Sequence, residues 1–325
     1  MTGDPSVLRF WRRAASSGLS IVLLLASVAG GVANADPPRV VAVLYPETDA
    51  PYRQLFAEIL GGIERGLPAE TVRAHALPAA PDAVALRRWL DQEAPVVVVT
   101  LGRVPTETYE HLGRKTPQVI GALDASPQTR PNVAGVGLAV DPALLFATLQ
   151  QLAPAKRRVW VVFNPAYDRW LMDLARTAAT ARGLELEPLE AGDLRESARQ
   201  FLHVLKTADP TTDALWLVAD AGIIDSQTIL PLVIEKSWQR RLPVFSNSFA
   251  HVKRGVLFAL YPDNISLGRR LAELSLQALR TPDARAGVEV LRAVKRALNL
   301  KVVGHLELDV PPDIERQFDL VLPVW

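Results

Sequence analysis

The chain has 325 residues, 49% of them hydrophobic and 22% charged, with a formal charge of +1. At roughly 100–200 residues per domain this length suggests about two domains with substantial cores, which excludes disorder as the main state. A near-neutral charge gives no global attraction to nucleic acid or anionic membrane, and zero cysteines exclude a disulfide scaffold, a thiolate zinc site, a cysteine nucleophile and a lipidated N-terminal cysteine.

The N-terminal stretch has the three-part layout of a secretory signal peptide. Arg9, Arg12 and Arg13 precede an apolar run with IVLLLASVA at its heart, and Ala33-Asn34-Ala35 supplies small residues at the cleavage positions. The run is short for a membrane span, which needs about 20 residues. Cleavage is expected after Ala35, leaving a near-neutral exported chain that starts at Asp36.

Beyond this segment, apolar runs of strand length alternate with helical stretches, a βαβ rhythm. The run 40–45 (VVAVLY) reads as a strand, and 52–65 as a helix with Leu55, Ile59, Leu60 and Ile63 on one face. A weaker strand falls near 71–76. Asp82 is placed to cap a helix carrying Val84, Leu86, Trp89 and Leu90. The unbroken run VVVVT at 96–100 predicts a strand buried on both faces of a parallel sheet. A helix near 106–112 and strands at 118–123 and 133–138 follow. The stretch 139–156 reads as a divider.

The rhythm restarts at 158–163, whose VWVVF predicts a strand, followed by a helix at 170–182 ending at Gly183. Strands are expected at 184–189, 214–219 (LWLVA within it), 243–246 and 256–261, with helices at 197–207, 227–238 and 266–279. A short strand at 288–291, an apolar segment at 298–306 and a Pro311-Pro312 turn complete the tail. The fold expected is α/β, two doubly wound parallel-sheet lobes joined by a hinge. Residues 36–150 plus about 258–282 form the first lobe, and 151–257 plus about 283–325 the second. Hinge crossings are expected near 140–153, 254–259 and 281–290. Ligands bind at the carboxyl ends of strands in such sheets and in clefts between lobes.

Motifs for catalysis or metal binding are lacking. His75, His111, His203, His251 and His305 are scattered, with no H-E-x-x-H. There is no G-x-S-x-G elbow, phosphate-binding loop or G-x-G-x-x-G. The clusters Lys156-Arg157-Arg158 and Arg240-Arg241 read as solvated segment ends. No cofactor, metal or catalytic residue is expected.

What remains is a set of polar groups at predicted strand ends. Tyr45 ends the first strand. Thr100, Gly102 and Arg103 follow VVVV. Asp124 and Ser126 follow the fourth strand. Asn164, Tyr167 and Asp168 follow VWVVF, and Asp220 follows LWLVA. Ser246, Asn247 and Ser248 end the Phe245 strand, and Tyr261 and Asp263 the Phe258 strand. The expected ligand contacts are Tyr45, Thr100, Gly102, Asp124, Asn164, Tyr167, Asp220, Asn247 and Tyr261. Helix capping by the Asp and Asn residues, and packing by the tyrosines, is the competing reading. Carboxylates suit an ammonium, backbone amides at helix starts suit a carboxylate, and Tyr45 and Tyr167 suit a flat ligand.

From residue 40 to about 312 the chain resembles the substrate-binding proteins of ABC transporters, in the type I periplasmic binding subfamily, some of whose members bind aromatic amino acids. The resemblance rests on VVVVTLGRVPTETYEHL, on RRVWVVFNPAYDRWLMDLARTAATARGLELE, on RRLPVFSNSFAHVKRGVLFALYPDNISLGRRLAEL, and on Leu298-Asn299-Leu300-Lys301 with Pro311-Pro312. None of these stretches is specific for a ligand. The resemblance implies a non-enzymatic, periplasmic protein that captures a small solute, an amino acid or related molecule, between two lobes and delivers it to an ABC permease in the inner membrane. The alternative is a ligand-sensing accessory of a membrane sensor with no transport role. A third possibility, a hydrolase on the same sheets, has no nucleophile–base pair in the sequence to support it. No nucleic-acid partner is expected.

Overall fold

The computed structural model describes residues 39–50, 52–220, 222–281 and 287–323. The expected signal segment 1–35 lies outside the described residues.

Five βα-rhythm strands open the fold: β1 (Val40–Pro46), β2 (Thr71–Leu77), β3 (Val97–Leu101), β4 (Gln118–Leu123) and β5 (Ala134–Val140). The helices between them are α1 (Tyr52–Gly66), α2 (Ala83–Glu93) and α3 (Arg103–His111). Asp82 caps α2 as its position predicts, accepting from the amides of Val84 at 2.8 Å and Ala85 at 3.1 Å. All neighbouring pairs in this first sheet are parallel, and a late strand, β11 (Val288–Leu291), joins it beside β5. The apolar run of β3 explains itself here. Val97, Val99 and Leu101 face Ile59 and Ile63 of α1, while Val98 faces Leu86 and Leu90 of α2 and Tyr109 of α3. With both faces covered, the period-2 alternation has nowhere polar to point.

The second sheet uses β6 (Arg158–Phe163), β7 (Glu185–Glu190), β8 (Asp213–Leu217), β9 (Val244–Ser246) and β10 (Phe258–Pro262), again parallel. Helices α4 (Pro142–Leu152), α5 (Pro165–Thr180), α6 (Leu194–Thr207), α7 (Ile229–Arg240) and the short α8 (Phe249–Lys253) accompany it. On one face Phe146 of α4 meets Trp216 edge-on, and Trp216, Phe245 and Phe258 stack in sequence across three strands. The other face buries Phe201 and Val204 of α6 and Val233 of α7 against Val162 and Leu215. Two further strands extend the sheet's edge. β12 (Val294–Asn299) runs antiparallel to β10, and β13 (Leu320–Leu322) parallel to β12. Two short helices, α10 (Leu300–His305) and α11 (Pro312–Glu315), lie between them in sequence.

The chain crosses between the sheets three times; the first crossing falls within the expected 140–153, whereas the second and third lie beyond the expected 254–259 and 281–290. The first crossing spans Val140 to Pro142, since 142–152 is not a divider but α4. Asp141 starts that helix, accepting from the Ala143 amide at 2.9 Å, with Pro142 in its first turn. The second lies between Pro262 and α9 (Asn264–Arg280), and the third between Leu291 and Val294. The expected boundaries at 258–282 and 283–325 therefore differ from the sheets in two strands. β10 pairs with β9 and β12 in the second sheet, and β11 pairs with β5 in the first. The physical reason is long-range pairing, and Asp263, capping α9 through Ser266, marks where the chain leaves the second sheet.

α9 then returns to the first sheet and packs on α1. The approach is so close that a Cβ on Gly62 would lie 2.2 Å from the Ile265 carbonyl oxygen, and one on Gly268 would lie 2.1 Å from that of Ile59. The three crossings lie side by side. The Asp141 amide donates to Leu291 O at 3.0 Å and the Asp263 amide to Ala293 O at 2.9 Å, while Arg292 reaches Asp141 Oδ2 at 2.9 Å.

Candidate functional site

The carboxyl ends of the two sheets bring together residues far apart in sequence. On the first sheet, pairing of β4 with β5 shifts between Ile120 and Leu123, and Ala122 takes a left-handed φ of 55°. Such an irregularity bends a strand and re-aims the residues beyond it. Gly121, just before it, makes room for Leu271 of α9, whose side chain a Cβ there would meet at 2.6 Å. The next polar side chain along the chain is Asp124.

On the second sheet, Asp220 lies beyond β8, Asn247 beyond β9, and Asp168 in the first turn of α5 after β6. Asp220 turns one oxygen to its own loop, where Oδ1 accepts from the Gly222 amide at 2.7 Å. Its Oδ2 is buried and has no hydrogen-bond partner, and the same holds for Asn247 Oδ1. Trp216 Nε1, in the apolar stack, is the other such atom among the described residues. A buried polar atom left unpaired costs about 1–3 kcal/mol, so two acceptors orphaned on neighbouring strand ends ask for donors from outside the chain.

The charges here act on one another across the two sheets. Asp168 is pushed up to about 7, first by burial and then by repulsion from Asp124 and Asp220. Asp124, although its side chain reaches solvent, is raised by partial desolvation and by Asp220, against the pull of Arg103 at the start of α3. A helix N-terminus favours a carboxylate by about 0.3–1 kcal/mol. At Asp168 that contribution is outweighed by burial and by two like charges.

A buried serine fixes the two strand ends that carry Asp220 and Asn247. Ser246 Oγ donates to Leu217 O at 2.9 Å at the end of β8. It accepts from the Ser248 amide at 3.1 Å and contacts His251 Nδ1 at 2.8 Å. Because the hydroxyl proton goes to Leu217, His251 is the donor through Nδ1–H. Burial and Arg254 hold His251 down to about 4, so the ring is neutral at pH 7. This Ser–His contact is therefore a brace. The hydroxyl that a nucleophile would need deprotonated is already committed to a carbonyl.

Of the other expected contacts, Thr100, Gly102 and Asn164 have their polar groups engaged within the fold, whereas the tyrosines pack by their rings or stand exposed. Thr100 is fully buried, accepting from Thr106 Oγ1 and Gln118 Nε2, each at 3.0 Å. The Gly102 amide donates to Gly121 O at 2.9 Å, and its φ of 80° makes the bend into α3. Asn164 caps α5 by accepting from the Ala166 amide at 3.0 Å. Tyr261 packs on Phe249 with ring centres 5.1 Å apart, beside Leu320 and Leu322. Tyr45 leans on Phe56 at 6.5 Å. Tyr167 is 67% exposed at the first turn of α5, a free aromatic face next to Asp168.

The expected contact list omits Asp168 and Arg103. Both are legible only as residues following a strand, in the first turn of a helix, where a capping or solvated role is the ordinary reading. Among the described residues no three His, Asp or Glu side chains are grouped as metal ligands, so the three aspartates repel one another without forming an ion cage.

A family profile described as ABC transporter substrate binding protein matches residues 79–318. Solved structures share the fold at low identity. A substrate binding protein with adhesive properties from Clostridium difficile, in a ligand-free, open structure, aligns with a TM-score of 0.63 at 14% identity, covering 87% of this chain and 99% of its own. An ABC domain from Streptococcus pneumoniae in complex with L-Trp gives 0.54 at 17%, covering 88% and 100%. A conserved domain protein from Vibrio cholerae gives 0.54 at 17% with the same coverage. No curated protein matches the chain. The architecture is that of the type I periplasmic binding proteins, and with most of its length matched by the profile, the chain belongs to the ABC transporter substrate binding protein family.

Proposed function

We propose that this chain is the exported, periplasmic solute-binding component of an ABC importer. It holds a small amine-bearing solute, an amino acid or related molecule, between its two sheet-centred halves and passes it to a membrane permease. The observation that carries this reading is the pair of buried, unpaired acceptors, Asp220 Oδ2 and Asn247 Oδ1, at the carboxyl edge of the second sheet. Asp124 of the first sheet and Asp220 and Asp168 of the second repel one another, which supports a site that draws on both halves. The L-Trp carried by the Streptococcus pneumoniae structure is a solute of this size and kind. The first half comprises β1–β5 with α1–α3, α9 and β11, and the second half the other described elements, with the three crossings as hinge. No covalent step belongs to this reading.

Mass spectrometry of protein purified natively from the exported fraction tests it. The intact mass should match a chain beginning at Asp36, and denaturation should release one small amine-bearing solute in near-stoichiometric amount. A chain retaining Met1 contradicts export with cleavage. A preparation that releases no solute and takes up none from a metabolite extract contradicts solute binding.

A further inference from the structure

Asn247 Oδ1 is a buried acceptor without a partner. Such an atom costs free energy, so a side chain free to turn finds water or a neighbouring donor, and it stays unpaired only where its surroundings over-determine it. Sheet pairing does not supply that constraint. β9 is three residues long. Its ladder to β8 ends at the Leu217–Ser246 pair and its ladder to β10 at Ala259–Ser246, so Asn247 is the first residue beyond both. The constraint comes from Ser246, which is fully buried and has one hydroxyl proton and two lone pairs to place. All three are used. The proton goes to Leu217 O at 2.9 Å, which ties the turn to the end of β8. One lone pair takes the Ser248 amide at 3.1 Å, which closes the turn around Asn247. The other takes His251 Nδ1–H at 2.8 Å. His251 is the second side chain of this node, and the helix that carries it is itself anchored. Its amide donates to Ser248 O at 3.1 Å, and buried Asn299 Nδ2 donates to the neighbouring Val252 O at 3.0 Å.

We propose that His251 is a positioning residue for solute capture, acting through Ser246 to hold Asn247 Oδ1 unpaired and ready to accept from a solute. This rests on the solute-binding reading above and deepens it. Without the Nδ1–H donor, one lone pair of Ser246 is left unfilled inside the fold. The hydroxyl is then free to turn away from Leu217, and the turn that carries Asn247 loosens while both sheets keep their apolar cores. A histidine that served packing alone would act on stability and leave the order of the Asn247 side chain unchanged.

Nuclear magnetic resonance of the full chain, stripped of solute by unfolding and refolding and isotope-labelled at asparagine, tests this. The Asn247 side-chain amide is identified by its disappearance in Asn247→Asp. The binding probe is methylammonium, which offers N–H donors and no acceptor. His251→Asn keeps a donor for Ser246, and His251→Leu fills similar space without one. In the parent and in His251→Asn the amide should give one sharp, ordered pair of signals. In His251→Leu it should become mobile, and methylammonium binding followed at that signal should weaken roughly 3- to 10-fold, the range for one net hydrogen bond. Ser246→Ala should mobilise the amide equally, with no further change on adding His251→Leu. An amide that stays ordered in His251→Leu overturns the proposal, and so does equal loss in His251→Asn and His251→Leu, which would make the ring a packing element only. Additive effects of Ser246→Ala and His251→Leu overturn it as well. Should His251→Leu not fold, Ser246→Ala gives the same reading, and an ordered amide there overturns the proposal. A parent signal that methylammonium leaves unmoved contradicts amine binding at this acceptor, and the order of the amide across the variants still decides the role of His251.

Discussion

Two half-buried titratable side chains give the molecule opposing responses to pH. The Asp168 carboxyl is raised from an ordinary value near 3.8 to about 7. Between those values the unfolded chain has lost this proton while the folded chain keeps it, so this residue destabilises the fold increasingly as pH rises from about 4 to 7. His251 is lowered from 6.5 to about 4. In that window the unfolded chain holds a proton that the folded chain does not, so its contribution to stability is present above 6.5 and is lost as pH falls towards 4. The two nearly mask each other in the parent protein. Thermal melts across pH 3.5–8 should separate them. Asp168→Asn should melt higher than the parent at pH 8, with the gain vanishing near pH 4. His251→Asn, which keeps an N–H for Ser246, should lose part of the acid destabilisation between pH 6.5 and 4. A gain for Asp168→Asn that is the same at every pH would show that its carboxyl is not held protonated by its neighbours. A stability gain on removing a charge that binding needs is the usual mark of a site kept strained for function.

At the scale of elements, the closest contact in the fold is that of α1 with α9. Gly62 and Gly268 let two helices from opposite ends of the chain touch backbone to backbone. Gly268→Ala should therefore destabilise by overpacking, by about 1–3 kcal/mol, although alanine is the better helix former. Chemical denaturation measures this, and a neutral or stabilising result would show that α9 is less firmly seated on α1. This contact also marks the limit of what was legible in the sequence. The strands β1, β3, β4, β6 and β8 announce themselves as apolar runs because they are buried on both faces. Asp82 announces the start of α2. α4 was equally open to reading, since Asp141-Pro142 is a cap followed by a first-turn proline, with Leu145, Phe146, Leu149 and Leu152 at helical spacing. β12 was not open to such reading. Lys295 and Arg296 break its apolar pattern because the strand lies near the sheet's edge, where one side is wet. Which sheet owns β10 and β11 is a matter of pairing partners at long range, and no local pattern encodes it. The site shows the same divide. Asp124, Asp220 and Asn247 follow recognisable strands, whereas the unpaired state of Asp220 Oδ2 and Asn247 Oδ1 depends on what the other loops leave unfilled.

For the whole molecule, capture of a solute requires that the two halves move about three crossings that are themselves firmly joined. Backbone bonds from Asp141 to Leu291 and from Asp263 to Ala293 hold the crossings in a band, with the Arg292–Asp141 ion pair across two of them. Helices are capped at Asp141 and Asp263, so helix starts are where a change of backbone angle between the halves is expected to be absorbed. A cationic solute that relieves the repulsion felt by Asp168 from Asp124 and Asp220 would favour the closed arrangement by its differential affinity. Small-angle scattering of the natively purified protein, compared with the same protein stripped of solute by unfolding and refolding, tests this most directly. The account predicts a larger radius of gyration for the stripped form and a return to the smaller value when the released solute is added back. Identical profiles for the stripped and the reloaded protein at saturating solute would contradict closure of the two halves on a ligand.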